Sequence, residues 1–160
     1  MDGATLATPH VVLGTMTFGG QVDEALADRM LAAFLDAGHT EADTAFSYCD
    51  GRTEEILGRI LTPERRRRVT LATKANPWSG DRGLQPARVV EQLETSLRRM
   101  QRDSVDILYL HAPDLKTPIE HTLSACHELH QAGKFRELGL SNYAAWQVAE
   151  IQGLCAARGG

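Results

Sequence analysis

Short apolar runs alternate five times with longer segments whose apolar residues recur every three or four positions. The short runs, rich in β-branched residues, predict β-strands, whereas the longer spacing predicts helices with one buried face. The predicted strands span residues 11–15, 40–45, 69–75, 105–111 and 137–141. The pattern therefore predicts five consecutive βα units.

Each predicted helix is marked by an apolar stripe of its own. In chain order the stripes are Leu26, Met30 and Phe34; Ile56 and Ile60; Val89, Leu93, Leu97 and Met100; Ile119, Leu123 and Cys126; and Val148, Ile151 and Cys155. Gly38 follows the first stripe as a C-terminal stop, and Pro86 suits the first turn of the third helix. Both signals place helix ends where the stripes predict them.

Repeated βα units imply a parallel sheet that either stays open or closes into a barrel. An open dinucleotide-binding sheet carries GxGxxG after its first strand, and the segment LGTMTFGG lacks that spacing. We therefore predict an α/β fold of the (β/α)8 TIM-barrel type. Because a closed barrel usually needs about 200 residues or more, residues 1–160 are expected to form only the N-terminal part of a single barrel domain, with about five βα units and the C-terminal strands missing.

The composition is that of an ordinary globular protein, with 42% hydrophobic and 24% charged residues and a net charge of -4. This charge gives no general attraction to nucleic acid or to an anionic membrane. The four arginines at residues 65–68 are interpreted as a solvated turn rather than a nucleic-acid site. With no signal peptide and no membrane-spanning stretch evident in the sequence, we expect a cytoplasmic protein.

Four side chains that can take part in catalysis stand at or just beyond the ends of predicted strands: Asp43, Tyr48, Lys74 and His111. Parallel strands of a barrel all point the same way, so groups at their carboxyl ends meet on one rim although they are far apart in sequence. The sequence therefore predicts that these four residues share a site.

These residue types together favour proton donation to a carbonyl oxygen. A lysine within a buried rim needs a counter-charge, which Asp43 supplies, and a cation beside a phenol favours the phenolate, so Lys74 makes Tyr48 a better proton donor. His111 can orient the substrate oxygen. The alternative for Asp43 and Lys74 is an ion pair that only ties neighbouring strands together, and the alternative for His111 is a core histidine.

Reduction of a carbonyl also requires a hydride, which no side chain supplies, so a nicotinamide or flavin is expected in the same mouth. Ser141 and Asn142, at the end of the fifth strand, offer a hydroxyl and a carboxamide suited to holding the carboxamide of a nicotinamide. Both residue types also favour the N-terminal cap of a helix, and that alternative stays open.

The chain resembles the N-terminal part of aldo-keto reductases, in particular the branch of aflatoxin-aldehyde and succinic-semialdehyde reductases. The motifs that carry the resemblance are LGTMTFG at the first strand, GHTEADTAFSYCDGRTEEILG around the second, ATKANPW at the third, VDILYLHAPD at the fourth and GKFRELGLSNYAAWQVAEI at the fifth. The resemblance implies reduction of small-molecule aldehydes, such as succinic semialdehyde or aflatoxin dialdehyde, with NADPH.

The resemblance also implies roles for single residues. Tyr48 donates the proton, Lys74 activates it, Asp43 supports the lysine, and His111 orients the substrate. The cofactor contacts it implies are Thr15, Met16, Asp43, Ser141 and Asn142, and the substrate contacts we expect are His111 and Trp78.

Two other functions stay open: a non-catalytic NADPH-binding interaction module, as in the potassium-channel β-subunits of the same fold, and an inactive fragment. An assembly of identical copies is also open. Cys126 with His121, His127 and His130 lacks the spacing of a zinc motif, so we expect no metal site.

Overall fold

The computed structural model describes residues 10–157, which contain one five-stranded parallel sheet. Its strands are β1 (Val12–Gly14), β2 (Glu41–Asp43), β3 (Thr70–Ala75), β4 (Val105–Leu110) and β5 (Phe135–Leu140). They pair side by side in sequence order, each parallel to the next. The predicted succession of five βα units is confirmed, although most strands are one or two residues shorter than predicted at one or both ends.

Six helices connect and follow the strands within the described residues. They are α1 (Glu24–Asp36), α2 (Arg52–Ile60), α3 (Pro63–Arg68), α4 (Pro86–Met100), α5 (Ile119–Gln131) and α6 (Ala145–Ala157), and a 3₁₀ turn spans Tyr48–Gly51. Local signals fix several of their starts. The side chain of Asp23 accepts a hydrogen bond from the backbone N–H of Leu26, and Pro86 opens α4 as predicted.

The hydrophobic core lies between the sheet and the helices. Leu71 of β3 and Leu108 of β4 are fully buried, as are Leu57 of α2 and, almost completely, Leu93 of α4. Burying one such leucine contributes about 1.5–3 kcal/mol relative to leaving it exposed. The helices therefore cover one face of the sheet, while the polar side chains of the predicted site belong to the other face.

The strand register places Asp43 and Lys74 together on the face of the sheet that the helices do not cover, which we call the inner face. Asp43 pairs with Ala72, and Lys74 follows Ala72 by two residues, so its side chain points to the same side of the sheet. Lys74 in turn pairs with Tyr109, and Tyr109 pairs with Gly139. A one-residue slip of this register would move Lys74 into the helix-covered core.

The buried face of α1 differs from the prediction. Leu26 and Met30 are 37% and 36% exposed, whereas Ala27, Leu31 and Leu35 are buried. The segment carries two overlapping apolar stripes, displaced by one residue, and the stripe that begins with the small side chain of Ala27 allows the helix to approach the core closely. Phe34 is only partly buried against the core.

The arginine run at residues 65–68 is solvated as predicted, since none of its residues is buried, but it is helical rather than a turn. It forms most of α3, which Thr62 caps by accepting from the backbone N–H of Arg65. Three of its guanidinium groups donate to backbone carbonyls at helix ends: Arg65 to Ile60 at 2.8 Å, Arg66 to Leu61 at 2.7 Å and Arg68 to Leu35 at 2.6 Å. The run thus adds hydrogen bonds to carbonyl groups at the ends of α1 and α2, where the hydrogen-bond ladder of each helix stops.

No helix among residues 10–157 is both long and apolar enough to cross a membrane.

The close contact between α2 and α4 depends on Gly58 of α2. A Cβ atom on Gly58 would lie 2.2 Å from the backbone oxygen of Arg99. We expect Gly58→Ala to destabilise the protein by about 1–3 kcal/mol, the usual effect of overpacking. Gly153→Ala is the matched control, because a Cβ there meets nothing within 4 Å, and it should stabilise α6 by up to about 1 kcal/mol. Urea unfolding measures both, and equal stability of the two variants would contradict the prediction.

Candidate active site

The structure brings together the four side chains that the sequence predicts to share a site. The Lys74 Nζ lies 2.5 Å from the Asp43 Oδ2 and 3.3 Å from the Tyr48 hydroxyl oxygen. The His111 ring is 5.9 Å from the Tyr48 ring, centroid to centroid, in an edge-on arrangement at 78°. Groups from the ends of β2, β3 and β4 therefore converge on one rim of the sheet.

Lys74 is the centre of this cluster. Its side chain is only 8% exposed, and its ammonium group also donates to the backbone oxygen of Thr44 at 2.8 Å. Each of the three ammonium hydrogens thus has an acceptor: a carboxylate, a carbonyl and a phenol. A buried charge is tolerated when it is paired and hydrogen-bonded in this way.

Tyr48 stands in a tight turn after β2 whose backbone is fixed on both sides. The backbone N–H of Phe46 donates to the carbonyl of Lys74 at 3.1 Å, and that of Tyr48 donates to the carbonyl of Ala45 at 3.1 Å. The next two residues, Cys49 and Asp50, adopt left-handed conformations with φ of 47° and 55°. Non-glycine residues rarely adopt this conformation, so the surrounding structure must impose it.

His111 follows β4, where its backbone N–H donates to the carbonyl of Ala75 at 2.8 Å. Burial lowers the pKa of the imidazole, and the positive charge of Lys74 lowers it further, while Asp43 acts in the opposite direction. The ring is therefore neutral at pH 7. Its buried Nδ1 has no hydrogen-bond partner among residues 10–157. A neutral imidazole on this rim can donate one hydrogen bond to a substrate oxygen.

Trp78 lies beside His111, with 5.0 Å between the ring centroids, and it is 54% exposed. Its loop is held by Asn76, whose side-chain oxygen accepts from the backbone N–H groups of Trp78 and Ser79 at 3.1 and 2.8 Å. Gln92 of α4 holds Asn76 in turn, with hydrogen bonds to its backbone N–H and carbonyl. Sequence reasoning missed this pair; a glutamine three residues after Val89, on the buried stripe of α4, was the available signal.

Tyr109 was also missed, although it shares the inner face with Lys74. The Lys74 Nζ is 5.8 Å from the Tyr109 ring centroid. Burial raises the pKa of Tyr109, and the nearby carboxylates of Asp43, Glu41 and Glu137 raise it further. Its phenol therefore stays protonated at neutral pH. The period of two along β4, counted from His111, was the signal that could have placed Tyr109 on this face.

Of the predicted cofactor residues near β1, one is buried and one is exposed. Thr15 is fully buried, and its hydroxyl donates to the backbone carbonyl of Asp43 at 2.9 Å. Met16 is exposed, and its carbonyl accepts a hydrogen bond from the thiol of Cys49 at 3.4 Å. The side chain of Thr15 thus supports Asp43 rather than facing the open rim, whereas Met16 is free to meet a ligand.

Ser141 and Asn142 lie beyond β5 and do not cap α6, which begins at Ala145. Asn142 adopts a left-handed conformation with φ of 62°, and its amide nitrogen donates to the backbone oxygen of His111 at 2.8 Å and to the Ser141 hydroxyl at 3.1 Å. Within residues 10–157 the Asn142 carboxamide oxygen and the Ser141 O–H make no hydrogen bond of their own. One acceptor and one donor thus remain, which is the complement that a carboxamide ligand requires.

Two other features do not belong to this site. A groove of about 640 Å³ lies between α5, β5 and α6, and none of the predicted site residues lines it. Cys126 in that groove is buried, and burial raises the pKa of its thiol to about 12. Among the described residues, no group of three or more histidine, cysteine or acidic side chains is arranged to hold a metal ion.

Comparison with known proteins identifies the class to which this fold and site belong. Residues 10–158 match the model of the aldo/keto reductase family, and the chain is a member of that family. It is 54% identical to aflatoxin B1 aldehyde reductase member 2 of Mus musculus, over 99% of this chain and 43% of the relative. It is 55% identical to aflatoxin B1 aldehyde reductase member 4 of Homo sapiens, over 96% of this chain and 46% of the relative.

A solved structure agrees with these relatives. An aldo-keto reductase from Bacillus halodurans, in its holo form, superposes with a TM-score of 0.77 at 33% identity, covering 88% of this chain and 48% of that one. The chain therefore has the fold of part of an aldo-keto reductase barrel, as predicted, and spans less than half the length of the relatives just named.

Proposed function

We propose that the complete protein is a cytoplasmic NADPH-dependent reductase that converts small-molecule aldehydes, of the succinic semialdehyde or aflatoxin dialdehyde type, to alcohols. One observation carries the proposal: the hydroxyl of Tyr48 lies 3.3 Å from a buried ammonium group that is itself paired with Asp43. This is an arrangement for losing and regaining a phenolic proton. The membership of the aldo/keto reductase family supports an oxidoreductase acting on carbonyl groups.

Tyr48 acts as the proton donor in this proposal. When bound, the nicotinamide supplies a hydride to the carbonyl carbon. As negative charge develops on the carbonyl oxygen, Tyr48 transfers its proton to that oxygen, and Lys74 stabilises the phenolate that remains. His111, held neutral by burial, donates a hydrogen bond that orients the oxygen toward Tyr48. Trp78, in contact with the His111 ring, forms one wall of the substrate site.

The residues proposed to contact the cofactor lie at the same rim, except Thr15, whose buried side chain acts through Asp43. Met16 would border the nicotinamide ribose and Asp43 would contact the cofactor, while Thr15 would contribute through its hydrogen bond to the Asp43 backbone. Ser141 and Asn142 hold the nicotinamide carboxamide with the donor and acceptor that their own contacts leave free. The hydrogen bond from Asn142 to the backbone oxygen of His111 connects the proposed cofactor-binding residues to the proposed substrate-binding residues.

Cofactor binding is tested by thermal unfolding with NADPH and with NADH. We expect NADPH to raise the unfolding midpoint, since a ligand at 100 times its Kd stabilises the native state by about 2.7 kcal/mol. Both the complete protein and the 160-residue chain are measured, with Asn142→Ala as the variant that should weaken the effect. An unchanged midpoint of the complete protein with either nucleotide would contradict the cofactor assignment.

The second candidate function is an NADPH-binding interaction module without useful turnover. It is favoured by the 38% identity to a probable voltage-gated potassium channel subunit beta of Oryza sativa subsp. japonica, over 84% of this chain and 43% of the relative. A steady-state assay with an aldehyde separates the two functions, because both predict NADPH binding and only the reductase predicts sustained oxidation of NADPH. An inactive fragment would show neither NADPH binding nor oxidation of NADPH. Whether identical copies assemble is a separate question, which gel filtration answers.

A further inference from the structure

An ion pair with a fully buried carboxylate lies beside the turn that carries Tyr48 and takes no part in the chemistry proposed above. Glu54 of α2 is fully buried, and its Oε2 lies 3.0 Å from the Nη1 of Arg99 of α4. The other carboxylate oxygen of Glu54 accepts a hydrogen bond from the Thr73 hydroxyl at 2.7 Å. Both oxygens of the buried carboxylate are thus satisfied, one by a cation and one by a hydroxyl of β3.

Arg99 also holds the turn itself. Its Nη1 donates to the carbonyl of Phe46 at 2.9 Å, and its guanidinium carbon lies 4.6 Å from the centroid of the Phe46 ring. The same guanidinium occupies the space beside Gly51, where a Cβ would lie 2.3 Å from the guanidinium carbon. The group therefore contacts the turn on both sides of Tyr48, at the residue two before it and the residue three after it.

This contact explains how the turn keeps its backbone conformation. Cys49, Asp50 and Gly51 have successive φ values of 47°, 55° and 91°. The first two are conformations that side chains disfavour, so they persist only where neighbouring groups over-determine them. Arg99 supplies a hydrogen bond, an aromatic contact and steric support at that place.

The ion pair of Glu54 and Arg99 is also linked to the strand that carries Lys74, the residue that contacts Tyr48. Thr73, which donates to Glu54, is the residue immediately before Lys74 in β3. One carboxylate is therefore linked, through Thr73, to the strand that presents the ammonium group and, through Arg99, to the turn that presents the phenol. We propose that Arg99 and Glu54 are positioning residues that set the distance between Tyr48 and Lys74. This proposal rests on the proposed function, in which that distance governs proton transfer.

Conservative variants of the complete protein test the proposal. Arg99→Lys keeps the positive charge but removes the planar guanidinium that lies over the Phe46 ring and beside Gly51, so the turn loses those contacts. Glu54→Gln keeps the shape and the hydrogen bond to Thr73 while removing the charge. The matched control is Arg98→Lys, because Arg98 is the exposed neighbour on α4 and, within the described part of the chain, its side chain bonds only to Thr95.

We expect Arg99→Lys and Glu54→Gln to lower kcat about tenfold or more, since small misplacements of reacting groups have large effects on rate. The KM for aldehyde and the Kd for NADPH should stay close to their original values, and Arg98→Lys should change nothing. The solvent deuterium isotope effect on kcat should increase, because proton transfer from a displaced Tyr48 becomes slower. A merely structural role would reduce the amount of active enzyme without changing that isotope effect, and this outcome would overturn the proposal.

A second measurement does not require turnover. Hydrogen exchange of the complete protein, followed peptide by peptide, should accelerate in Arg99→Lys at residues 46–51 and stay unchanged in β4 and β5. Exchange that is unchanged at residues 46–51, or that rises equally throughout the chain, would overturn the positioning role. If the unaltered protein reduces no aldehyde, the proposed function fails, and the exchange result still decides whether Arg99 holds the turn.

Discussion

Replacing Tyr48 by phenylalanine in the complete protein is expected to lower kcat for aldehyde reduction by about 10²–10⁴-fold, the usual contribution of a positioned proton donor. The phenylalanine ring keeps the packing against His111, whose ring centroid lies 5.9 Å from that of residue 48. Only the hydroxyl oxygen, 3.3 Å from the Lys74 Nζ, is lost. Because the hydroxyl is not part of the proposed cofactor seat, the Kd for NADPH should stay nearly unchanged. Steady-state kinetics and fluorescence titration with NADPH measure the two quantities.

The chain offers a matched control for this variant. Tyr109 shares the inner face of the sheet and also lies near Lys74, with 5.8 Å between the Nζ and the ring centroid. Burial and three nearby carboxylates raise the pKa of Tyr109, so it is a poor proton donor at neutral pH. Tyr109→Phe should therefore retain most of the turnover. If Tyr48→Phe kept its turnover, or if Tyr109→Phe lost as much, the assignment of Tyr48 as the donor would be wrong.

The architecture and the meeting of the four side chains were predictable because both follow from repetition. Alternating βα units fix the strand direction, and strand direction alone brings Asp43, Lys74 and His111 to one rim. The exact strand ends mattered little, since a side chain just beyond a strand still lies on the same rim. Tyr48 was placed with them because it follows β2 by only a few residues.

The choice between two helix faces was less predictable. In α1 the stripe of Leu26 and Met30 and the stripe of Leu31 and Leu35 both have helical spacing, and only packing against the sheet decides between them. The short helix α3 was missed for a different reason. Thr62 and Pro63 are a local start signal for it, but the bonds from its arginine side chains to carbonyls of other elements are not visible in any local pattern.

The polar contacts that position the site residues could not be predicted from the sequence. Asn76 with Gln92 and Glu54 with Arg99 join residues 16 and 45 positions apart. Such pairs depend on the distance between two elements and on side-chain direction, whereas periodicity reports only which face of one element is buried. A polar residue on a buried stripe, such as Gln92, is the one local sign that a buried hydrogen-bond partner exists.

Removal of the central ammonium group is expected to have the second largest effect. Lys74→Met keeps much of the side-chain volume but leaves Asp43 without its cation and Tyr48 without its neighbouring charge. We expect kcat to fall by about 10²-fold or more, because the phenolate that forms on proton transfer loses its stabilising charge. We also expect a loss of about 3 kcal/mol of stability, the lower end of the range for a broken buried pair, since the Asp43 side chain is 27% exposed and regains some water.

The double variant Lys74→Met with Asp43→Asn separates the two effects. Replacing the unpaired carboxylate by a neutral amide should restore part of the stability measured by urea unfolding, because the remaining group no longer carries a charge that needs a partner. The same change should leave kcat as low as in Lys74→Met, since no cation is present beside Tyr48. Recovery of turnover together with stability would mean that Asp43 and Lys74 only tie β2 to β3, and that the proton chemistry of this rim does not depend on the ammonium group.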